Sequence, residues 1–315
     1  MAINQFDRYQ WLVDKISTFG PISFRDLSDE WQKSPLNQDG SPLPHRTLYN
    51  QINAIEERFG IEIKNKRGRG FYIEDDSADG RRQWMMSCMN VNSMLLEYKG
   101  LSDRILLEPS PQGQNFLSII MNAIQASRVL SLSYKKFSSA EEETYPVEPY
   151  CVKLFRGRWY LLGYNQVRRG TRVYALDRVQ AVKVSDESFA LPGDFSAEET
   201  FYSCFGVYPY GSDGKLAKVS RVVIKAFGET PNYLRTRPLH HSQRERDLGD
   251  GTWEFTYLLS DSYDLRQELL SYGSSIEVVS PESLREEMAA EVAAMTKLYS
   301  GKGKQNAEFD DSGLF

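Results

Sequence analysis

Hydrophobic side chains recur every three or four residues through the first sixty positions, and this spacing predicts three amphipathic helices. Turn-forming residues mark the ends of these helices. The first helix ends before Gly20-Pro21, the second begins after Ser23, and the third begins at Pro44 and ends at Gly60. Two short extended runs follow, at residues 61–64 and 70–73, and they predict a β-hairpin.

Three helices followed by a hairpin is the order of a winged helix-turn-helix domain, which predicts where DNA would be contacted. The apolar stripe of the third helix leaves polar residues on the opposite face, where arginine suits guanine edges and asparagine suits adenine edges. The hairpin segment 64–70 carries four cations and no acid, which suits phosphates. The predicted DNA-binding residues are Arg46, Thr47, Asn50, Asn53, Lys64, Lys66, Arg67 and Arg69.

Each of these features alone also fits a solvated helix face or a soluble hairpin, and it is their order along the chain that favours DNA binding. Residues 1–73 hold ten Lys and Arg against nine Asp and Glu. Binding would therefore depend on segregation of charge between faces, with modest and salt-sensitive non-specific affinity. One such domain covers a small interface, so we expect a homodimer on double-stranded operator DNA.

The rest of the chain alternates between helical and strand spacing. Residues 84–98 predict a Met- and aromatic-rich helix, which is typical of core or of a dimer contact. A helix over 116–129 and five short strands over 130–184 then predict a small, strongly curved antiparallel barrel. From 218 to 299, strands and helices alternate in an order that predicts a ferredoxin-like α+β domain. The predicted divisions are 1–75 (DNA-binding domain), 76–112 (helical linker or dimer contact), 113–190 (barrel), 191–300 (C-terminal domain) and 301–315 (disordered tail).

Composition and charge exclude several classes of protein. The chain of 315 residues has a net charge of −5, which excludes a uniformly basic DNA-coating protein but not a local basic patch. Apolar runs are too short for a membrane span, and the first twenty residues are too charged for a signal peptide. Three cysteines without a CxxC pair argue against a disulfide framework and a cysteine-rich zinc site. We expect a soluble cytoplasmic protein without membrane attachment.

Three blocks of the middle region resemble the family of WYL-domain transcriptional regulators. They are Tyr145-Pro146-Val147-Glu148-Pro149, Gly157-Arg158-Trp159-Tyr160-Leu161-Leu162-Gly163-Tyr164 and Arg172-Val173-Tyr174-Ala175-Leu176-Asp177-Arg178-Val179, and they match the family's blocks in order and spacing over about residues 113–185. Tyr174 stands where the family usually has phenylalanine. The segments 237–243, 272–273 and 280–282 resemble the C-terminal extension that follows many WYL domains.

The resemblance implies an Sm/SH3-like barrel that senses a nucleotide or short nucleic acid. Carried over by position, the implied ligand-binding residues are Ser133, Tyr134, Lys153, Arg172 and Arg178. The chemistry is consistent with this, because guanidinium groups hold phosphates through paired hydrogen bonds and a tyrosine ring can stack on a base. Arg178 could instead be a structural partner of Asp177 or Glu148.

No local signature of catalysis or metal binding occurs. The sequence has no nucleophile elbow, P-loop, HExxH motif or GxGxxG after a strand. His240 and His241 are adjacent, so on a strand they would point in opposite directions, and no third ligand lies nearby. We expect a protein that is not an enzyme and that uses no metal or cofactor.

The leading hypothesis is a ligand-responsive bacterial transcription regulator whose WYL domain senses an oligonucleotide effector. The resemblance also connects it with control of a phage-defence or DNA-damage locus. The alternative is a nucleic-acid-binding accessory module that tunes a partner nuclease or helicase. Sequence specificity separates the two hypotheses, since a regulator discriminates its operator from random duplex by about 10³ or more.

Overall fold

The computed structural model describes residues 5–74, 80–137, 141–211 and 215–300. The predicted tail 301–315 and residues 75–79 of the predicted linker lie outside these ranges. The chain divides into two compact units, residues 1–108 and residues 109–315. Over the described residues the architecture is mixed α/β, with helices and several antiparallel sheets.

The described part of the first unit combines helices with one hairpin. Its elements are α1 (Gln5–Phe19), α2 (Phe24–Lys33), α3 (His45–Phe59), β1 (Ile63–Lys66), β2 (Gly70–Ile73), α4 (Gly80–Glu97) and a 3-10 segment (Lys99–Arg104). The hydroxyl of Ser23 caps α2 by accepting the Asp26 amide at 3.1 Å, and Gly60 ends α3 with a φ of +65°. β1 begins two residues later than predicted, because Ile61 is fully buried among the helices and pairing with β2 starts at Ile63.

The hairpin is joined to the helices by a backbone bridge. Ile22, in the connection between α1 and α2, exchanges both backbone hydrogen bonds with Phe71 of β2, at 2.9 and 2.8 Å. Gly70 makes this approach possible, since a Cβ at that position would overlap the carbonyl group of Ile22. The bridge fixes β2, close to the turn of the hairpin, against the connection between α1 and α2.

A buried carboxylate holds α4 against the first two helices. Glu97 accepts hydrogen bonds from Trp11 Nε1 at 3.2 Å, Lys15 Nζ at 2.8 Å and Ser34 Oγ at 3.1 Å, and its side chain is only 6% exposed. Burial alone would lower the pKa of Lys15, but the bond to and the charge of Glu97 raise it overall. Met89 lies on the same inner face of α4 and is buried in the core of the unit.

The second unit begins with a helix packed on an antiparallel sheet. Its first elements are α5 (Leu117–Gln125), β3 (Arg128–Lys135), β4 (Glu142–Phe155), β5 (Arg158–Asn165), β6 (Gly170–Ala175) and β7 (Val179–Ser188). The helix predicted over 116–129 ends at Gln125, because Ser127 turns the chain with a φ of +50°. The strand order is β6-β5-β4-β3-β7.

The prediction of a barrel is corrected, because the sheet does not close. β6 pairs with β5 and β7 pairs with β3, and no ladder between described residues joins β6 to β7. A 3-10 turn, Leu176–Arg178, carries the chain from one edge to the other, with Leu176 buried between them. Arg178 therefore lies beside the opening.

The remainder of the second unit is a four-stranded antiparallel sheet with helices. Its elements are α6 (Ala197–Phe201), β8 (Val219–Ala226), α7 (Thr230–Thr236), β9 (Arg244–Asp247), β10 (Trp253–Ser260), α8 (Tyr263–Ser271), β11 (Ile276–Ser280) and α9 (Glu282–Ser300). The strand order is β11-β8-β10-β9. The strand β9 was not predicted, because all four of its residues are polar and exposed. Among the described residues, no helix combines the length and apolarity needed to cross a membrane.

Substitution of Gly70 by alanine tests the bridge between hairpin and helices. Gly68→Ala is the matched control, since Gly68 also has a positive φ, of +77°, but open space where a Cβ would be. We expect the free energy of unfolding to fall by about 1 kcal/mol for Gly68→Ala and by about 3 kcal/mol for Gly70→Ala. Urea unfolding of the full chain measures both. Equal losses would show that the Ile22 contact is unimportant.

Candidate nucleic-acid and ligand interfaces

The outward face of α3 is polar and unpaired. Arg46, Asn50 and Asn53 are exposed, and none of them has a hydrogen-bond or ion-pair partner among the described residues. Leu48, Ile52 and Ile55 on the opposite face are buried. Thr47 is half-buried at the margin of this face. The side chains that could recognise base edges are thus free to do so.

Two aromatic residues on the same face were missed by the sequence analysis. The ring of His45 stacks on Phe24 of α2 at a centroid distance of 3.5 Å, and Tyr49 accepts a hydrogen bond from Asn65 of β1 at 3.4 Å. His45 and Tyr49 connect α3 to α2 and to the hairpin. Their spacing of four residues, parallel to Arg46 and Asn50, is the signal that could have revealed them.

The basic side chains of the hairpin differ in whether they already form ion pairs with carboxylates. Lys64 forms ion pairs with Glu62, at 3.3 Å, and with Glu74. Lys66, Arg67 and Arg69 make no ion pair with any described residue and surround the turn between β1 and β2. The positive charge that remains available to a phosphate is concentrated at the tip of the hairpin.

In the second unit, three buried tyrosines, Tyr134, Tyr145 and Tyr174, form a cluster in the core of the sheet; we call it the tyrosine cluster. Tyr134 and Tyr174 meet edge to face at 5.3 Å, and Tyr145 lies 6.4 Å from Tyr174. Tyr134 is only 6% exposed, and burial raises the pKa of its hydroxyl, which accepts the Ala175 amide at 3.3 Å. Its ring supports neighbouring groups and offers no open face for stacking a base.

Arg178 is held between two aromatic rings at the open side of the sheet. Its guanidinium lies 4.8 Å from the ring centroid of Tyr134 and 4.2 Å from that of Phe137, and Nε donates to the Lys135 carbonyl at 3.3 Å. Phe137, which the sequence analysis missed, is 80% exposed.

Arg178 pairs with neither of the two carboxylates that the sequence suggested as structural partners. Asp177 pairs with Arg158 at 3.4 Å, and Glu148 accepts from Gln166 at 3.3 Å. Neither carboxylate compensates Arg178, which has no ion pair within the described chain.

The other ligand candidates lie at different places around this site. Arg172 is exposed on the same face of β6 as Tyr174, and its only bond to a described residue is to the Thr171 carbonyl, at 2.8 Å. Ser133 and Tyr134 lie on opposite faces of β3. The hydroxyl of Ser133 lies 2.8 Å from the hydroxyl of Thr144. The structure brings Arg178 and Tyr134 together, places Arg172 near Tyr174, and separates Ser133 from them.

Lys153 lies inside the second unit rather than at its surface. Its Nζ donates to the Gly206 carbonyl at 2.6 Å and lies 4.1 Å from the ring centroid of Phe201. Burial lowers the pKa of this lysine. Its contacts are structural, and it connects β4 to the segment that follows α6.

A second basic group at the tyrosine cluster is already neutralised. Arg168 lies 5.2 Å from the ring centroid of Tyr145 and pairs with Glu143 at 3.0 Å, and Lys136 pairs with the same carboxylate at 2.5 Å. The bond from Lys136, together with those from Tyr145 and Arg168, lowers the pKa of Glu143 to about 2. This network was not apparent from the sequence, because its members lie up to 32 residues apart.

The two adjacent histidines contact Tyr202, in the segment that follows α6. One ring nitrogen of His240 lies 2.7 Å from the Tyr202 carbonyl and the other 2.8 Å from the Ser242 hydroxyl. Among the described residues, no group of three or more His, Cys, Asp or Glu side chains is arranged to hold a metal ion.

Comparison with known proteins locates two domains in the second unit. Residues 115–184 match the WYL domain family, and residues 218–296 match the WCX domain family. Protein PafB of Mycobacterium tuberculosis (strain ATCC 25618 / H37Rv) is 28% identical over 189 residues, which cover 58% of this chain and 53% of that protein. Protein PafC of the same strain is 24% identical over 192 residues, 61% of this chain and 57% of that protein. The chain thus spans about half the length of the curated relatives that it matches.

Two solved structures are also similar. Proteasome accessory factor B/C (PafBC) of Arthrobacter aurescens aligns over 98% of this chain and 49% of its own, with 19% identity and a TM-score of 0.40. A structure described as a CRISPR Cas-related protein aligns over 94% of this chain and 85% of its own, with 11% identity and a TM-score of 0.37.

Replacement of Lys153 by methionine tests its structural role through pH. The folded-state pKa of this lysine lies below its ordinary value of 10.5, so the unfolded chain binds more protons between the two values. The parent should therefore gain thermal stability relative to Lys153→Met as the pH rises towards 10.5. Melting temperatures from pH 7 to 10.5 measure the difference, with Lys183→Met on exposed β7 as the control. A pH-independent difference would contradict the assignment.

Proposed function

We propose that this chain, with its WYL and WCX domains, is a transcription regulator that binds double-stranded operator DNA as a homodimer. In this proposal the first unit is a winged helix-turn-helix with α3 as the recognition helix and the β1–β2 hairpin as the wing. The WYL sheet is an open Sm/SH3-like fold, and the WCX part, with the element order β-α-β-β-α-β, is ferredoxin-like. The protein acts by binding and not by catalysis.

One observation carries the proposal: groups suited to base edges and groups suited to phosphates occur together in the first unit, and they have no side-chain partner within the part of the chain that the structure describes. Arg46, Asn50 and Asn53 are exposed and unpaired on one helix face. Lys66 and Arg67 are unpaired at the tip of the neighbouring hairpin. Arginine and asparagine supply the paired hydrogen bonds that distinguish guanine and adenine, whereas lysine and arginine on a wing position the domain on the backbone.

We further propose that the WYL domain senses a short, phosphate-bearing nucleic acid or nucleotide. Arg178 is held in place by Tyr134 and Phe137, and Arg172 is exposed on the adjacent edge strand, and neither is neutralised by a described carboxylate. Two such guanidinium groups suit phosphates. Exposed Phe137, rather than buried Tyr134, is the ring available to a base. Control of a phage-defence or DNA-damage locus is the regulatory role that we propose for this response.

The first test is fluorescence anisotropy on the DNA upstream of the protein's own gene, at about 150 mM salt. We expect the parent to prefer this duplex over a scrambled one by about 10³ or more. Arg46→Ala and Asn50→Ala should each lose about 1–3 kcal/mol of operator binding and much of that preference, because they remove contacts to base edges.

The hairpin supplies the controls for this experiment. Lys66→Ala should weaken binding to both duplexes equally and reduce the salt slope by about one. Lys64→Ala should change both less, because Glu62 and Glu74 already compensate that charge. Weak and equal binding of the parent to both duplexes would contradict the regulator and favour a nucleic-acid-binding accessory module.

The sensing role is tested by adding a short single-stranded oligonucleotide to the operator complex. We expect it to shift the operator affinity of the parent and to leave the double variant Arg172→Gln, Arg178→Gln unaffected, although that variant binds operator normally. The double variant Arg221→Gln, Arg244→Gln, which removes two exposed arginines of β8 and β9, is the charge-matched control. The double variant's retention of the full response would show that these arginines do not hold the effector.

A further inference from the structure

Arg8 of α1 is a cation that the proposed DNA contacts do not use. Its guanidinium lies 4.9 Å from the ring centroid of Trp31, which is buried. Arg8 makes no hydrogen bond or ion pair with any described residue, and its Nε is buried without a partner. An arginine that is held on an aromatic ring and is not neutralised by a carboxylate is suited to bind an anion.

A small polar cavity lies beside Arg8. It has a volume of about 260 Å³, and the described residues that line it are Gln5, Arg8, Thr47, Asn50 and Gln51. All five side chains can donate hydrogen bonds, and none of them is a carboxylate. This chemistry suits a phosphate group, because a phosphate oxygen accepts hydrogen bonds from neutral donors and pairs with a guanidinium.

The cavity lies on the side of α3 that faces away from the hairpin. At about 100° per residue, Tyr49 is rotated about 60° from Arg46 in one direction and Thr47 about 100° in the other. Tyr49 contacts the hairpin through Asn65, at 3.4 Å, whereas Thr47 lines the cavity with Arg8. The outward face of α3 therefore has the hairpin on one side and Arg8 on the other.

A helix in the major groove of DNA lies between two sugar–phosphate strands, because the groove is about 12 Å wide and a strand borders each side of it. The hairpin is on one side of α3, so its cations position the unit against one of these strands. The second strand would pass the other side of α3, where Arg8 and the cavity lie.

We propose that the cavity between α1 and α3 binds a backbone phosphate of the DNA strand opposite to the one that the hairpin contacts, with Arg8 as the charged donor. The inference deepens the proposed function and rests on it, since it requires α3 to lie in a major groove. Arg8 is then a positioning residue, and Arg46 and Asn50 contact the base edges between the two strands.

Substitution of Arg8 by glutamine tests the contact. Arg8→Gln should weaken binding to the upstream and the scrambled duplex equally, by about tenfold at about 150 mM salt, because a phosphate contact carries no sequence information. The slope of log K against log salt should become shallower by about one for each DNA-binding unit. Arg8→Lys keeps the charge and should restore the slope of the parent. Fluorescence anisotropy over a series of salt concentrations measures affinity and slope together.

The matched control is Arg58→Gln. Arg58 also lies over an aromatic ring of the same unit, 5.9 Å from the ring centroid of Tyr9, but it is about 18 Å of helix beyond Arg46. This variant should keep the salt slope of the parent. An Arg8→Gln chain that also keeps the parent's slope, whatever its thermal stability, would show that Arg8 only packs on Trp31 and would overturn the inference.

Neutral phosphates locate the contact on the DNA. Single phosphates of the upstream duplex are replaced by methylphosphonates, and each replacement at a contacted position should weaken binding of the parent. Arg8→Gln should become insensitive at a position on one strand, and Lys66→Ala at a position on the other strand, across the major groove. Insensitive positions on the same strand would overturn the arrangement with one contact on each side of α3.

Selection between the two duplexes separates the failure of this inference from that of the proposed function. A parent that selects the upstream duplex, while Arg8→Gln keeps the parent's salt slope, would leave the regulator standing and remove the contact from α1. A parent that binds both duplexes equally, with a slope that Arg8→Gln makes shallower, would leave the phosphate contact standing and remove the regulator.

Discussion

The buried carboxylate of Glu97 decides which way α4 faces. A side-chain carboxyl group with so little access to water needs hydrogen-bond donors around it, and Trp11, Lys15 and Ser34 supply them from α1 and from the end of α2. These bonds tie α4 to α1 and to the end of α2. The direction in which α4 faces therefore depends on the contacts of one carboxylate.

Within the two candidate interfaces, cations that are already paired lie close to cations that are not. Lys64 and Arg168 are neutralised by Glu62, Glu74 and Glu143, whereas Lys66 and Arg178 are not paired with any described residue. A chain with a net charge of −5 can thus present local positive sites.

The ends of helices and strands were predicted well where they depend on the conformation of a few neighbouring residues. Pro44 and Gly60 bounded α3 to within one residue, and the five short strands predicted over 130–184 correspond to β3–β7. The strand β9 has no apolar residue to reveal it, and the closed barrel failed because pairing of β6 with β7 is a non-local choice.

The sequence predicted the face of an element on which a candidate residue lies better than it predicted whether that residue is buried. The outward face of α3 follows from helical periodicity alone. Burial of Tyr134 and Lys153, by contrast, depends on segments 41 and 53 residues away, and alternation along β3 separates Ser133 from Tyr134. Patterns report which face a residue occupies, and tertiary contacts decide what covers it.

The two rings that enclose Arg178 also have a consequence for the strength of binding. A long side chain on a surface gives up rotational freedom when it grips an anion, and that loss subtracts from affinity. The guanidinium of Arg178 has lost much of this freedom during folding, between Tyr134 and Phe137. Few contacts to an anion can then suffice, and a lysine at this position would carry the same charge without the preorganised planar group.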